Sequence, residues 1–279
     1  MPAPEDPRAA SFTEATPQQA LATVYDEGAI AYERYWAPVL HRHAVDLVVA
    51  VPVAEPQTGL TVVDVATGAG TLLPALHHLA GPGGRVLALD RSLGMLHRVP
   101  SSTVRVQADA GALPLVPRSV DVLVFAFVLF MLPDAGAAVI EAARVVRPGG
   151  WLLAATWGSQ LGTGADVVVH EELDRASAPV FPELARSDAE TDSAEDMAAL
   201  LADGFVDVRT TVRPLAARFT PEEAMAMRTS CGTLGWRFAR LDRGSQEQVR
   251  RSIADRLRAL PDEEFVDRSE VLLTAARRR

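Results

Sequence analysis

Three carboxylates stand at the ends of apolar runs, and a glycine-rich turn follows the first of them. The run Val62-Val63-Asp64-Val65 leads into Ala66-Thr67-Gly68-Ala69-Gly70. Glycines at such a place permit a tight turn and let a ligand lie against bare backbone. In an open α/β sheet, ligands bind beyond the carboxyl ends of the strands, at the switch point. Asp64 sits just before the turn, where it suits a ligand bearing an ammonium group better than a pyrophosphate. Asp90 ends the next apolar run, Arg85–Asp90, about twenty residues after the turn, where a carboxylate can accept from both hydroxyls of a ribose. Asp109 follows Gln107-Ala108 at the end of a third run and can accept from an exocyclic adenine amine. Taken singly, each Asp also reads as a strand-end or helix-capping residue; taken together they are a much stronger signal.

A nicotinamide dinucleotide is the first rival. Its G-x-G-x-x-G turn needs a third glycine for close packing of helix on strand. Counted from Gly68 the third position is Leu73, and counted from Ala66 it is Thr71, so both registers fail.

The elements that position these residues follow from the apolar pattern. Pro17 to about Val51 reads as helical and gathers Tyr25, Ile30, Tyr32, Tyr35 and Trp36. Strands are expected at Leu60–Val65, Arg85–Asp90, Thr103–Ala108, Val120–Phe127 and Trp151–Thr156. Helices are expected between them at Thr71–Ala80, Ser92–Arg98 with Ser92 as N-cap, and Asp134–Val146. Pro74 is tolerated only in the first turn of its helix. Such alternation predicts a doubly wound, mostly parallel sheet with helices on both faces. Beyond Trp157 the rhythm loosens: residues 158–203 read as mainly helical, Gly204–Val212 as a sixth strand, Thr220–Leu260 as helical and Val271–Ala276 as a last strand.

Composition narrows the function classes. Hydrophobic residues make up 48%, as an ordered globular chain requires. The net charge of −9 argues against nucleic acid as a partner, since a binder needs a basic stripe. No apolar run approaches the roughly 20 residues of a membrane helix, and Met1 to Arg8 lacks the pattern of a secretory signal; the expectation is a cytoplasmic protein. The chain has one cysteine, Cys231, and no lysine, so an intrachain disulfide, a cysteine-rich metal cluster, a Schiff-base lysine and a P-loop lysine are all excluded. No metal is expected.

Residues 60–157 resemble the class I S-adenosylmethionine-dependent methyltransferases, in the broad group that includes the ubiquinone/menaquinone-biosynthesis type. The resemblance rests on Asp64 to Gly70, Asp90 with Ser92-Leu93-Gly94-Met95-Leu96, Asp109-Ala110 with Leu113-Pro114-Leu115, Asp121, and Arg147-Pro148-Gly149-Gly150. Tyr25-Asp26 and Tyr32-Glu33 resemble that group's lid segment. The resemblance implies a seven-stranded Rossmann-like methyltransferase fold with N-terminal helices and a helical cap. It divides the chain into an arm with lid helices (1–57), a cofactor-binding core (58–157), and cap insertions with the last two strands (158–279). By position it implies that the backbone of Ala66, Thr67, Gly68 and Gly70 cradles the methionine part of the cofactor and that Asp64 holds its amino group. Asp90 takes the ribose, Arg91 and Met95 lie against the adenine, and Asp109 with the Ala110 N–H reads the adenine edge. Ala126 and Phe127 face the methionine end, and Tyr25 and Tyr32 close over it. Ala66 departs from the family, which often has Gly there; the change is mild if φ stays negative.

The acceptor is expected to be a small, uncharged or hydrophobic molecule. Trp36, Phe130, Trp157, His170 and Trp236 are candidates to line its pocket, with core packing as the alternative for each aromatic. His41, His43, His170 and Asp134 are candidate bases, and none is assigned; His77-His78 is expected on the outer side of its helix. Three functions stay open: methyl transfer, with S-adenosylhomocysteine as product; a cyclase, dehydratase or binder on the same fold; and an NAD(P)-dependent oxidoreductase. The methylated atom and the oligomeric state are open as well.

Overall fold

The structure is a computed structural model, and it describes residues 17–49, 59–183 and 185–279. The expectations for residues 1–16 and 50–58 lie outside the described residues. A seven-stranded sheet has the order β3-β2-β1-β4-β5-β7-β6. Its strands are β1 (Thr61–Val65), β2 (Arg85–Asp90), β3 (Val104–Gln107), β4 (Val120–Ala126), β5 (Val146–Leu161), β6 (Phe205–Arg218) and β7 (Val266–Arg278). The first five are parallel, and β7 runs antiparallel to both β5 and β6. The order reverses between β1 and β4, so the switch point lies where the glycine turn leaves the sheet.

Helices cover both faces: α1 (Pro17–Ala31), α2 (Ala37–Val49), α3 (Leu73–Ala80), α4 (Leu93–Leu96), α5 (Ala135–Val145), α6 (Gly164–Arg175), α7 (Ala194–Leu201), α8 (Pro221–Arg228), α9 (Gly232–Ala239) and α10 (Arg243–Leu257). Alternation along β1 decides what each side chain meets. Val62 packs with Leu40, Ala44 and Leu47 of α2 and Leu76 of α3. Val63 and Val65 pack on the other face with Ala138 of α5 and with Met197 and Leu201 of α7. A separate apolar cluster joins Val169 and Leu173 of α6 to Ala224, Phe238, Ile253 and Leu257 of the C-terminal helices.

Several helix starts are fixed by side chains. Asp134 accepts from the Ala137 N–H, Ser92 accepts from the Met95 N–H as expected, and Thr163 with Asp166 and Thr220 with Glu223 form reciprocal capping boxes.

The main departure from the sequence expectation is in β5 to β7. Residues 213–218, expected to belong to the cap, and residues 266–270, expected to lie outside the last strand, extend β6 and β7, pairing from Arg213↔Val271 to Arg218↔Val266. Pro214 and two alanines, Ala216 and Ala217, hid this extension, because both residue types are weak strand formers. Pro214 is accommodated because β6 is an edge strand. β5 likewise begins at Val146, immediately after α5, and runs through the Arg-Pro-Gly-Gly stretch with a register shift opposite Val120/Val122. The helical region after Thr220 is three helices broken at Thr229–Cys231 and Arg240–Asp242.

Candidate functional site

A cleft of about 890 Å³, open to solvent at its mouth, lies beyond the carboxyl ends of β1, β2 and β4. Of the fourteen residues expected at the cofactor, eleven line it: Tyr25, Tyr32, Ala66, Gly68, Asp90, Arg91, Met95, Asp109, Ala110, Ala126 and Phe127. Asp64 and Thr67 line a smaller cavity of about 420 Å³ beside it. The two cavities share Tyr32, Ala66, Gly68, Ala126 and Phe127 as a common wall. Gly70 lines neither; it is a turn residue, with φ of +78° and Leu73 packed where a side chain would stand.

Asp90 is the organising group of the large cleft. Its Oδ2 accepts from the Gly68 N–H at 2.8 Å and its Oδ1 accepts from the Ser92 N–H at 2.8 Å. One carboxylate thereby ties the glycine turn to the start of α4. Each oxygen keeps a lone pair for a ligand hydroxyl. Burial raises the Asp90 pKa, against the lowering effect of these backbone donors. Arg91 pairs with Asp109 at 3.3 Å, and Asp109 Oδ1 also accepts from the Gly111 N–H. Met95 is buried against Ala29, Ala69 and the two tyrosines.

Asp64 is 1% exposed. Its Oδ2 accepts from the Thr67 hydroxyl at 2.7 Å, and its Oδ1 has no hydrogen-bond partner. Burial pushes its pKa up to about 7, and the nearby Asp90 charge adds to the rise. An unpaired buried acceptor of this kind is costly and marks a place where a donor belongs. Burial also raises the pKa of Tyr25 and Tyr32 well above the usual phenol range, so both stay protonated near neutral pH. Their rings meet edge to face at 6.0 Å, and the Tyr25 hydroxyl donates to the Met131 sulfur. Tyr32 opens a single π-helical turn, Tyr32–Trp36, between α1 and α2.

Ala66 corrects one expectation: its φ is +57°, not negative. The left-handed region costs an L-residue roughly 1–2 kcal/mol. Ala66→Gly is therefore expected to stabilise the protein by about 0.5–1 kcal/mol, after the larger entropy of glycine in the unfolded chain is offset. A shift of the urea midpoint upward at constant slope checks it.

The contacts of α1 are more specific than the sequence showed. Asp26 Oδ1 accepts from the Ser92 hydroxyl at 2.5 Å and the Gly94 N–H at 2.8 Å. Arg98 donates to Glu33, and Arg240 of the C-terminal helices donates to Glu27. Gly94 permits this approach, because a Cβ there would lie 2.6 Å from the Asp26 carbonyl oxygen. Gly94→Ala is expected to push α1 off α4 at a cost of about 1–3 kcal/mol, the usual scale of overpacking. Hydrogen exchange would show faster exchange in α1 with β1 and β4 unchanged.

The acceptor candidates are scattered. Trp36 and Trp157 form one aromatic wall with Phe127, whose ring lies 4.9 Å from Trp157, while Trp157 lies 6.4 Å from Trp36. Phe127 holds its place with φ of +59° and an N–H donated to the Ala155 carbonyl. Phe130 is buried under the Arg186 guanidinium and lines neither cavity. Trp236 is buried against Phe181 and Arg240, also away from both. His170 is exposed on α6 and does not line a cavity. Among the candidate bases, Asp134 serves as the α5 cap and His43 lines neither cavity, whereas His41 lines the smaller one. The sequence reading missed Leu21, Ala22, Met131 and Pro133, which also line the large cleft; they are ordinary apolar residues without a pattern to mark them. Among the described residues no three His, Cys, Asp or Glu side chains gather as a metal site, and no helix is long and apolar enough to cross a membrane.

Residues 63–154 match a family model described as a methyltransferase domain. The ubiquinone/menaquinone biosynthesis C-methyltransferase UbiE of Shewanella frigidimarina is 30% identical over 161 residues, covering 54% of this chain and 58% of that protein. The UbiE of Hahella chejuensis is 37% identical over 106 residues, covering 35% of this chain and 43% of that protein. The matched region thus spans about half the length of these relatives. Two solved structures share the fold at 16% identity. The YcgJ protein from Bacillus subtilis gives a TM-score of 0.56 over 85% of this chain and 99% of that one. Phosphoethanolamine N-methyltransferase 2 of Haemonchus contortus, in complex with S-adenosyl-L-methionine, gives 0.54 over 95% and 60%. Residues 63–154 are thus similar to a methyltransferase domain and to the UbiE enzymes, on a fold shared with the two solved structures.

Proposed function

We propose that the protein transfers a methyl group from S-adenosylmethionine to a small, uncharged or hydrophobic acceptor. The observation that carries the proposal is Asp64: a buried carboxylate with one orphaned oxygen, set at the switch point beside an adenosyl-sized cleft. A ligand ammonium supplies the donor that Asp64 lacks. In this reading Asp90 binds the ribose hydroxyls with the lone pairs left over from Gly68 and Ser92. Arg91, Met95, Asp109 and the Ala110 N–H surround the adenine, and Tyr25 and Tyr32 cover the ligand from the lid. Two buried carboxylates also favour a ligand that carries positive charge, as a sulfonium does. When bound, the cofactor supplies a methyl carbon already attached to a good leaving group.

The protein's own task is then positional. The acceptor must be held about 3 Å from the methyl carbon and in line with the breaking bond, a proximity effect worth several kcal/mol. The wall of Phe127, Trp157 and Trp36, its rings tilted by 44° and 36° to one another, offers an aromatic acceptor surface that begins at Phe127 on the wall shared by the two cavities. Neutral Tyr25 and Tyr32 act as hydrogen-bond donors and not as bases, because burial keeps their protons on.

The test is incubation of the protein with S-adenosylmethionine and a panel of small aromatic and apolar acceptors, read by product mass. A product heavier by one methylene, with stoichiometric S-adenosylhomocysteine, supports the proposal. A product of unchanged mass, formed only in the presence of cofactor, would replace it with an isomerising reaction on the same fold.

A further inference from the structure

We propose that His41, on the lid helix α2, is the partner for the carboxylate of the ligand's amino-acid end. It makes the smaller cavity selective for ligands bearing both an ammonium and a carboxylate. The proposal rests on the methyltransferase reading above and assigns a specificity residue to it.

Asp64 shares a face with Val62, and that face is covered by Leu40, Ala44 and Leu47 of α2. Leu40, His41 and Ala44 together line the smaller cavity, so α2 forms one of its walls and Asp64 stands on another. An amino-acid end is a zwitterion: it needs an acceptor for its ammonium and a donor for its carboxylate. Asp64 is the acceptor, with Oδ1 unpaired. The donors on the cavity wall are few. The Thr67 hydroxyl already donates to Asp64. Across both cavities the lining side chains able to carry positive charge are Arg91 and His41. Arg91 is paired with Asp109 at the adenine end. Beside the neutral hydroxyls of Tyr32 and Thr71 on the same wall, that leaves His41 as the side chain able to meet the carboxylate with positive charge; it is exposed, and its imidazole N–H can donate. Because α2 belongs to the lid, the lid and the sheet each hold one pole of the ligand, and closure is coupled to the ligand's charge pattern.

The test is calorimetric titration of the full chain with two probes, S-adenosylhomocysteine and its decarboxylated analogue, in which hydrogen replaces the carboxylate. The wild type is expected to favour S-adenosylhomocysteine at least about tenfold, the scale of one hydrogen bond to a charged group. His41→Ala is expected to lose that preference by weakening S-adenosylhomocysteine alone, and His41→Arg is expected to keep it. A His41→Ala protein that retains the wild-type preference overturns the assignment. Loss of affinity for both probes equally also overturns it, since that pattern reports damage to the lid and not to a carboxylate contact. Failure of the wild type to bind either probe removes the methyltransferase reading itself, an outcome separate from the other two.

Discussion

Asp64→Asn is expected to make the ligand-free protein more stable above pH 7 while costing it most of its cofactor affinity. The folded pKa of about 7 lies above the ordinary aspartate value of 3.8. Between those values the folded state holds a proton that the unfolded chain has released, so stability falls as pH rises. Below about pH 4 both states are protonated and the penalty vanishes; above about pH 7 it is complete. A shift of about three pH units corresponds to roughly 4 kcal/mol as an upper bound. Asparagine keeps an acceptor for the Thr67 hydroxyl and carries no charge. Urea unfolding should therefore show a gain of a few kcal/mol at pH 8 that shrinks toward zero near pH 4. Affinity for S-adenosylhomocysteine should fall by more than tenfold, because a neutral amide cannot pair with an ammonium. In the wild type, binding of the ammonium favours the ionised carboxylate, so a proton is released on binding near neutral pH and affinity declines as pH drops below about 7. A variant less stable than wild type at pH 8 would show that Asp64 is charged and compensated by a partner in the free protein.

Asp90→Ala carries the second large effect, and it acts on two levels. It removes the acceptor for the Gly68 and Ser92 N–H groups, so the glycine turn and the start of α4 lose their shared anchor. Each backbone donor left without a partner costs about 1–3 kcal/mol if it stays buried. The ligand also loses its ribose contacts, a further factor of roughly ten to one hundred in affinity. Sequence alone suggests a variant that binds poorly and folds normally. The geometry instead predicts a variant that is destabilised by a few kcal/mol in urea without any ligand, and that binds weakly at temperatures where it remains folded. An Asp90→Ala protein with wild-type stability would mean that the turn holds its shape without the carboxylate.

Much of the core was legible because parallel strands buried on both faces leave near-continuous apolar runs. Val120 to Phe127 is such a run, and the strand Val120–Ala126 follows it closely. Arg85–Asp90 coincides with its strand. The turn from Asp64 to Gly70 was readable as a candidate site because glycines and a carboxylate interrupt that apolar pattern at the end of a strand. The sign of φ at Ala66 was not readable, since backbone handedness at one residue depends on how the turn meets Asp90 and Phe127. The extensions of β6 and β7 were hidden by Ala216, Ala217 and Pro214, whose types say little about a strand held by its neighbour. The tie between α1 and α4 was out of reach for another reason: Asp26 and Ser92 lie 66 residues apart, and nothing local links them. The acceptor side was the least legible. Aromatic residues in a core and in a pocket have the same composition, and only the contacts separated Trp36 and Trp157, near Phe127, from Trp236, packed on Phe181.

The central claim is that the cleft at the switch point takes an adenosyl amino acid. Calorimetric titration of the purified chain with S-adenosylmethionine, S-adenosylhomocysteine and NADPH in parallel tests it most directly. The account predicts saturable binding of both adenosyl ligands and none of NADPH. Binding of NADPH alone, or of none of the three, would contradict it.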